Sequence, residues 1–269
     1  MLPRLRATPE RIVCLTEETI ELLYALGEQD RIVGITAYTV RPERARHEKP
    51  VVSAFVGGSL ERIRALEPDL VIGFSDVQAD YARTLIHAGL PVLIFNQRSL
   101  QDIADVMLQL GQLIGRGDDT RDLLAGWFRE LAALTNEADR RIADAGRRPR
   151  VYFEEWDDPM ISAIGWVHEI VTLMGGDNIF ADRATAAASR DRQCTVDDVR
   201  ARAPEIVLAS WCGKPFNEAA CAARLGPDVP AVATGRLHAI DSATILQPGP
   251  GCLTDGARDV FNALWTACT

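Results

Sequence analysis

The stretch from Asp118 to Ala145 constrains the rest of the chain more than any other. Leu123, Leu124, Trp127, Phe128, Leu131 and Leu134 recur at steps of three and four, and Arg121, Arg129, Glu130, Glu137, Asp139, Arg140 and Arg141 fill much of the remainder. That pattern is one apolar stripe on a 3.6-residue helix with a charged back. No proline interrupts the run, and Gly117 and Gly146 flank it as start and stop signals. Roughly 28 residues at about 1.5 Å each make a rod of roughly 42 Å. A rod of that length exceeds a single small lobe, so the spacing predicts a spine joining two halves.

Both flanks of the spine carry strand–helix alternation. On the amino-terminal side, β-branched runs at 11–15, 32–35, 51–55, 70–74 and 92–95 alternate with helical patterns. The first of these helices can be capped by Thr16 and stopped by Gly27; others open after Gly57-Gly58-Ser59, cover 78–88, and run from Ser99 to about Ile114. Beyond the spine, strands are expected at 151–155, 206–210, 231–233 and 237–240, with helices at 167–174, 196–202 and 253–266. Alternation of this kind builds parallel sheets covered by helices. The expected fold is α/β, two Rossmann-like parallel-sheet lobes joined by a single long backbone helix. Its boundaries are 1–116 for the first lobe, 117–146 for the helix and 147–269 for the second lobe.

An internal similarity supports two related halves. Residues 60–74, LERIRALEPDLVIGF, lie over residues 196–210, VDDVRARAPEIVLAS, so that Arg64 meets Arg200, Ala65 meets Ala201, Pro68 meets Pro204 and Asp69 meets Glu205. Two copies of a helix–Pro–acid–strand unit make a pseudo-symmetric pair and not a solenoid.

Charge and motif content exclude several classes. A net charge of −9 without a dense Lys/Arg block opposes binding to nucleic acid phosphates. No apolar run suggests a membrane span, and Met1–Glu10 lacks the apolar core of a leader. As the sequence starts, a cytoplasmic monomer is expected; an upstream start would make it periplasmic. The six cysteines form no CxxC pair, which suits small buried hydrophobes or free thiols. There is no GxSxG, Walker, HExxH or GxGxxG motif. His47, His87 and His238 are scattered.

Ligands of open parallel sheets bind beyond the carboxyl ends of the strands. The residues there are Thr16, Phe55, Phe74, Asn96, Glu154 to Trp156, and Ser210 with Trp211. An aromatic and polar set without histidine suits stacking and hydrogen bonding to a sizeable organic ligand better than metal coordination. The segment Val151 to Met160 places four carboxylates around Trp156. They could receive a cationic ligand group, form an acid/base pair, or be a solvated loop. Trp166 and His168 begin a helix and Trp211-Cys212-Gly213-Lys214 ends a strand, so both can face the same cleft.

The chain resembles the substrate-binding proteins of iron-siderophore and cobalamin ABC importers. The resemblance rests on Ile12 to Gly27 followed by Asp30 to Gly34, on Leu60-Glu-Arg-Ile with Pro68-Asp-Leu-Val-Ile72, and on Gly175-Gly-Asp-Asn-Ile-Phe180. It implies two α/β lobes on a backbone helix, and ligand-facing aromatics at Tyr38, Phe55 and Phe74. It also implies two acids, Glu61 and Asp197, that meet arginines on a membrane permease. The expected function is non-enzymatic. A corrinoid or related tetrapyrrole would be held in an aromatic, partly acidic cleft between two lobes, for ABC uptake or intracellular handling, with no separate cofactor or metal. Three alternatives stay open: an iron-siderophore as ligand, a cytosolic carrier or sensor, and a cytoplasmic enzyme using Glu154 or Glu155 as acid/base near Cys212.

Overall fold

A computed structural model describes residues 8–266. The chain divides into two compact units, one holding the chain through Gln97 and then Gln101–Ala125, the other Arg98–Leu100 and the chain from Gly126 onward.

The first unit contains, in order, β1 (Ile12–Cys14), α1 (Glu17–Ala25), β2 (Ile32–Thr36), α2 (Ala45–Glu48), β3 (Val51–Ala54), β4 (Gly57–Gly58), α3 (Leu60–Ala65), β5 (Leu70–Phe74), α4 (Ala79–His87) and β6 (Val92–Phe95). Most of α5 (Leu100–Leu113) and the start of α6 (Gly117–Ala145) complete it. Its six strands run in the order β4-β3-β2-β1-β5-β6. Every pairing is parallel except β3 with β4, a hairpin closed by the two-residue turn Phe55-Val56. Strands buried on both faces read as continuous apolar runs, as in the fully buried Leu70–Phe74.

The second unit contains β7 (Arg150–Asp157), β8 (Met160–Ser162), α7 (Gly165–Leu173), β9 (Asp177–Asn178), α8 (Val196–Arg202), β10 (Ile206–Ala209), α9 (Glu218–Leu225), α10 (Pro230–Ala233), β11 (Leu237–Ala239), α11 (Ser242–Ile245) and α12 (Ala257–Trp265). Its strand order is β11-β10-β7-β8, with β9 also on β7, and only β7 with β8 is antiparallel. Each sheet thus carries one antiparallel hairpin on an otherwise parallel set of strands, in keeping with the two parallel-sheet lobes that the alternation implied. Residues 231–233 form a helical turn and not a strand. Pro230 at its first position is pre-set for a helix and lacks the N–H that a strand would need. One turn is too short to show a helical period.

Helix α6 spans 29 residues. Thr120, Leu124, Leu131 and Ala138 are its buried positions, while Phe128 is exposed. The apolar stripe is thus narrower than the sequence pattern suggests.

The internal repeat extends to details of the backbone. Ser59 caps α3 by accepting the Arg62 N–H, and Thr195 caps α8 by accepting the Asp198 N–H within a full capping box. Both copies leave the helix through a left-handed residue, Glu67 at φ 45° and Ala203 at φ 42°. Each then reaches a proline and an acid. The Asp69 N–H donates to the Arg11 carbonyl and its carboxylate accepts the Arg11 N–H; Glu205 does the same with Arg150. In each unit the acid pins the incoming strand beside the outgoing one, which explains why an acid follows proline in both copies.

Candidate functional site

The carboxyl edge of the first sheet carries an exposed apolar rim. Tyr38 after β2 is 47% exposed, Val56 at the tip of the β3–β4 hairpin 66%, and Val77 beyond β5 53%. Phe55 beside Val56 is half-buried. Large exposed apolar side chains gathered on one edge mark a binding surface more often than chance exposure.

Gln78 holds this edge in shape. It is fully buried; its Oε1 accepts the Phe74 N–H at 3.0 Å and its Nε2 donates to the Phe55 carbonyl at 2.6 Å. A Cβ at Gly73 would lie 2.3 Å from Gln78 Oε1 and 2.8 Å from Ile94 Cδ1, so glycine is what lets this brace approach the strand. Ser75 turns the chain out of β5 at φ 68° and accepts the Val77 N–H. A left-handed serine of this kind costs of order 1–3 kcal/mol and persists where surrounding contacts over-determine it.

Two carboxyls that the sequence reading passed over lie at the end of β1. Glu17 and Glu18 open α1 and are both buried. The Thr16 hydroxyl donates to Glu18 Oε1 at 2.7 Å, so Thr16 does not cap α1 with its side chain, contrary to the helix-start pattern. Glu18 Oε2 has no partner. Burial, together with the neighbouring Glu18 charge, pushes Glu17 up to about 8, and burial pushes Glu18 up to about 7. The missed signal was Thr-Glu-Glu directly after a strand, which reads as an ordinary acidic first turn.

In the second unit the acidic cluster is internally neutralised. Glu154 is fully buried and accepts from Arg224 Nη2 at 2.6 and 2.7 Å, from Trp211 Nε1 at 3.1 Å and from the Tyr152 hydroxyl at 3.0 Å. Burial pushes its carboxyl up and Arg224 opposes that shift. Glu155 pairs with the buried Arg192, and Asp157 pairs with Lys214 at 2.5 Å. Three of the four acids thus have cationic partners contributed by segments 35 or more residues away, a reading absent from the three weighed on sequence. Such pairing is invisible along the chain because Arg192, Lys214 and Arg224 carry no motif. Both Glu154 and Glu155 are committed to guanidinium partners.

The candidate residues fall into distinct settings. Phe55 and Phe74 are brought together by Gln78, and Trp156 and Trp211 by Lys214, whose Nζ lies 4.4 and 4.7 Å from their ring centroids. Asn96 is exposed just past β6, and Thr16 is buried just past β1. Trp166, at the start of α7, is 3% exposed and donates its indole N–H to the Ile245 carbonyl. Glu61 and Asp197 are exposed in the first turns of α3 and α8.

Residues 12–244 match the family described as periplasmic binding protein. The chain belongs to that family. Over 247 residues this periplasmic binding protein is 27% identical to the vitamin B12-binding protein of Vibrio parahaemolyticus, covering 91% of this chain and 86% of that one. The solved periplasmic heme-binding protein of Roseiflexus sp. RS-1 matches with TM-score 0.76 and 26% identity over 95% of this chain and 99% of that chain. The periplasmic vitamin B12-binding protein of Vibrio cholerae shares the fold, with TM-score 0.73 and 22% identity over 95% of this chain and 96% of the other. All three are named as binding proteins and not as enzymes. No helix among the described residues is long and apolar enough to cross a membrane.

Proposed function

We propose that this chain is a solute-binding protein for a corrinoid or related tetrapyrrole, handed on to an ABC permease. The observation that carries the reading is the exposed rim of Tyr38, Val56 and Val77 with the half-buried Phe55 on one carboxyl edge, where Gln78 ties Phe55 to Phe74. A flat macrocycle needs such a surface, and it needs few charged partners. The relatives named for vitamin B12 and for heme support the ligand class. Calorimetric titration with cyanocobalamin tests it. Binding by the full chain is expected, and Phe55→Ala should weaken it about tenfold, the loss of roughly one stacked aromatic contact. No heat at high micromolar ligand overturns the corrinoid assignment.

A second reading, haem, is favoured by Tyr38, whose exposed phenol stands on that edge and belongs to a residue type that can hold haem iron. Tyr38→Phe separates the two: it should abolish an iron–phenolate absorption band with hemin while changing cobalamin affinity little.

The permease reading rests on Glu61 and Asp197. Exposed charges act mainly on association rate and its salt dependence. With a cognate permease, Glu61→Gln combined with Asp197→Asn should slow complex formation and leave ligand affinity nearly unchanged; a large loss of ligand affinity would contradict a docking role. The family's description as periplasmic favours that compartment over the cytoplasm, and fractionation of the native host decides.

A further inference from the structure

The second unit contains a cation site already filled by one of its own side chains. Lys214 Nζ sits 4.4 Å from the centroid of Trp156 and 4.7 Å from that of Trp211, with Asp157 Oδ1 at 2.5 Å. Two indole faces and a carboxylate around one ammonium are the elements of an aromatic cage, whose attraction comes from the ring quadrupoles and grows as water is excluded.

The walls of this cage do not depend on the lysine. Trp156 is fixed by its indole N–H donated to the Asp158 carbonyl at 2.9 Å, and Trp211 by its indole N–H donated to Glu154 at 3.1 Å. Phe216 packs edge-on against Trp211 with centroids 5.1 Å apart. Asp157 is held through its backbone, since its carbonyl accepts from Arg224 Nη1 at 2.7 Å. The lysine is more exposed than the carboxylate it pairs with. Its side chain is 39% exposed and it follows Gly213, which holds φ +77° with open space where a Cβ would lie.

Beside the cage lies a hollow of about 420 Å³ lined by Asp157, Asp158, Met160, Trp211, Cys221 and Arg224. With Arg224 committed to Glu154, withdrawal of Lys214 would leave this region with the negative charge of Asp157 and Asp158.

We propose that Trp156, Trp211 and Asp157 form a binding site for an alkylammonium group, and that Lys214 is its resident occupant, displaced when an external organic cation enters. The site is built from residues of the second unit alone and does not require the tetrapyrrole reading. Lys214 acts in it as a competing ligand tethered to the chain, so it sets the affinity that an external cation must exceed.

Tetramethylammonium is the probe, because it satisfies an aromatic cage without forming hydrogen bonds of its own. Titration of the full chain is followed by indole fluorescence and by shifts of the Trp156 and Trp211 side-chain N–H resonances. Lys214→Ala is expected to bind tetramethylammonium at least about tenfold more tightly than the unsubstituted chain, the factor set by removal of the internal competitor. Adding Trp156→Ala or Asp157→Asn to that background should remove the gain. A far-ultraviolet spectrum and melting curve for each variant show that it is folded, and Lys214→Met, which keeps the length of the stem, repeats the test if Lys214→Ala proves unstable. Equal or weaker binding by both lysine variants, or a gain that survives loss of Trp156, overturns the proposal.

Discussion

Arg224→Ala should destabilise the second unit by about 3–5 kcal/mol, the range for stripping one partner from a buried ion pair. The cost arises because Glu154 is fully buried and loses two short hydrogen bonds at once, while Tyr152 and Trp211, which donate to the same carboxylate, cannot follow it into solvent. The loss should depend on pH. Without the guanidinium that opposes burial, the Glu154 carboxyl rises further above its ordinary 4.5. A carboxyl raised in the folded state carries no penalty below its unfolded value and an increasing one as pH climbs toward its folded value. Urea unfolding should therefore show the variant closest to the parent in acid and furthest from it at about pH 8. Glu154→Gln in the same background removes the charge and should restore part of the stability. A loss below about 1 kcal/mol, with no pH dependence, would mean that Arg224 is not what neutralises this carboxylate.

Features carried by short-range patterns were legible in the sequence. The spine could be read because its apolar residues recur at helical spacing, and the repeat because helix, proline, acid and strand are consecutive in both copies. The carboxyl-edge residues followed from the alternation of strands and helices. What stayed hidden depends on partners distant in sequence. Glu154, Glu155 and Asp157 looked like an acidic patch, since nothing in 151–158 shows that Arg224, Arg192 and Lys214 return to them. Trp156 and Trp211 looked like free stacking surfaces, although an ammonium lies against both. The burial of Trp166 and its bond to the Ile245 carbonyl come from the packing of α7, which no local pattern records. The short elements β4, β8, β9, α9, α10 and α11 lack the length that periodicity needs, which is why residues 231–233 read as a strand in the sequence and form α10 in the structure.

Glu17 and Glu18 give the other large effect, with the opposite sign. Both carboxyls are buried, Glu18 Oε2 lacks a partner, and their folded values of about 8 and about 7 stand above the ordinary 4.5. Their contribution is most favourable below about pH 4.5, where both states hold the protons. It is lost as pH rises toward 7 for Glu18 and 8 for Glu17, because the unfolded chain releases protons that the folded chain must keep or else bury as charge. The pair therefore works against the fold at mildly alkaline pH. Glu17→Gln with Glu18→Gln should therefore raise the urea midpoint at about pH 8 and flatten its decline between about pH 5 and 9. An unchanged decline would assign the pH dependence to other groups. A fold that keeps two such residues past the end of β1, on the same carboxyl edge as the apolar rim, holds them against its own stability, and strained or destabilising groups retained in that way concentrate where function needs them. Measuring cyanocobalamin binding by the same double variant would then show whether that edge uses them: a lost affinity in a more stable protein is the signature of a trade between the two.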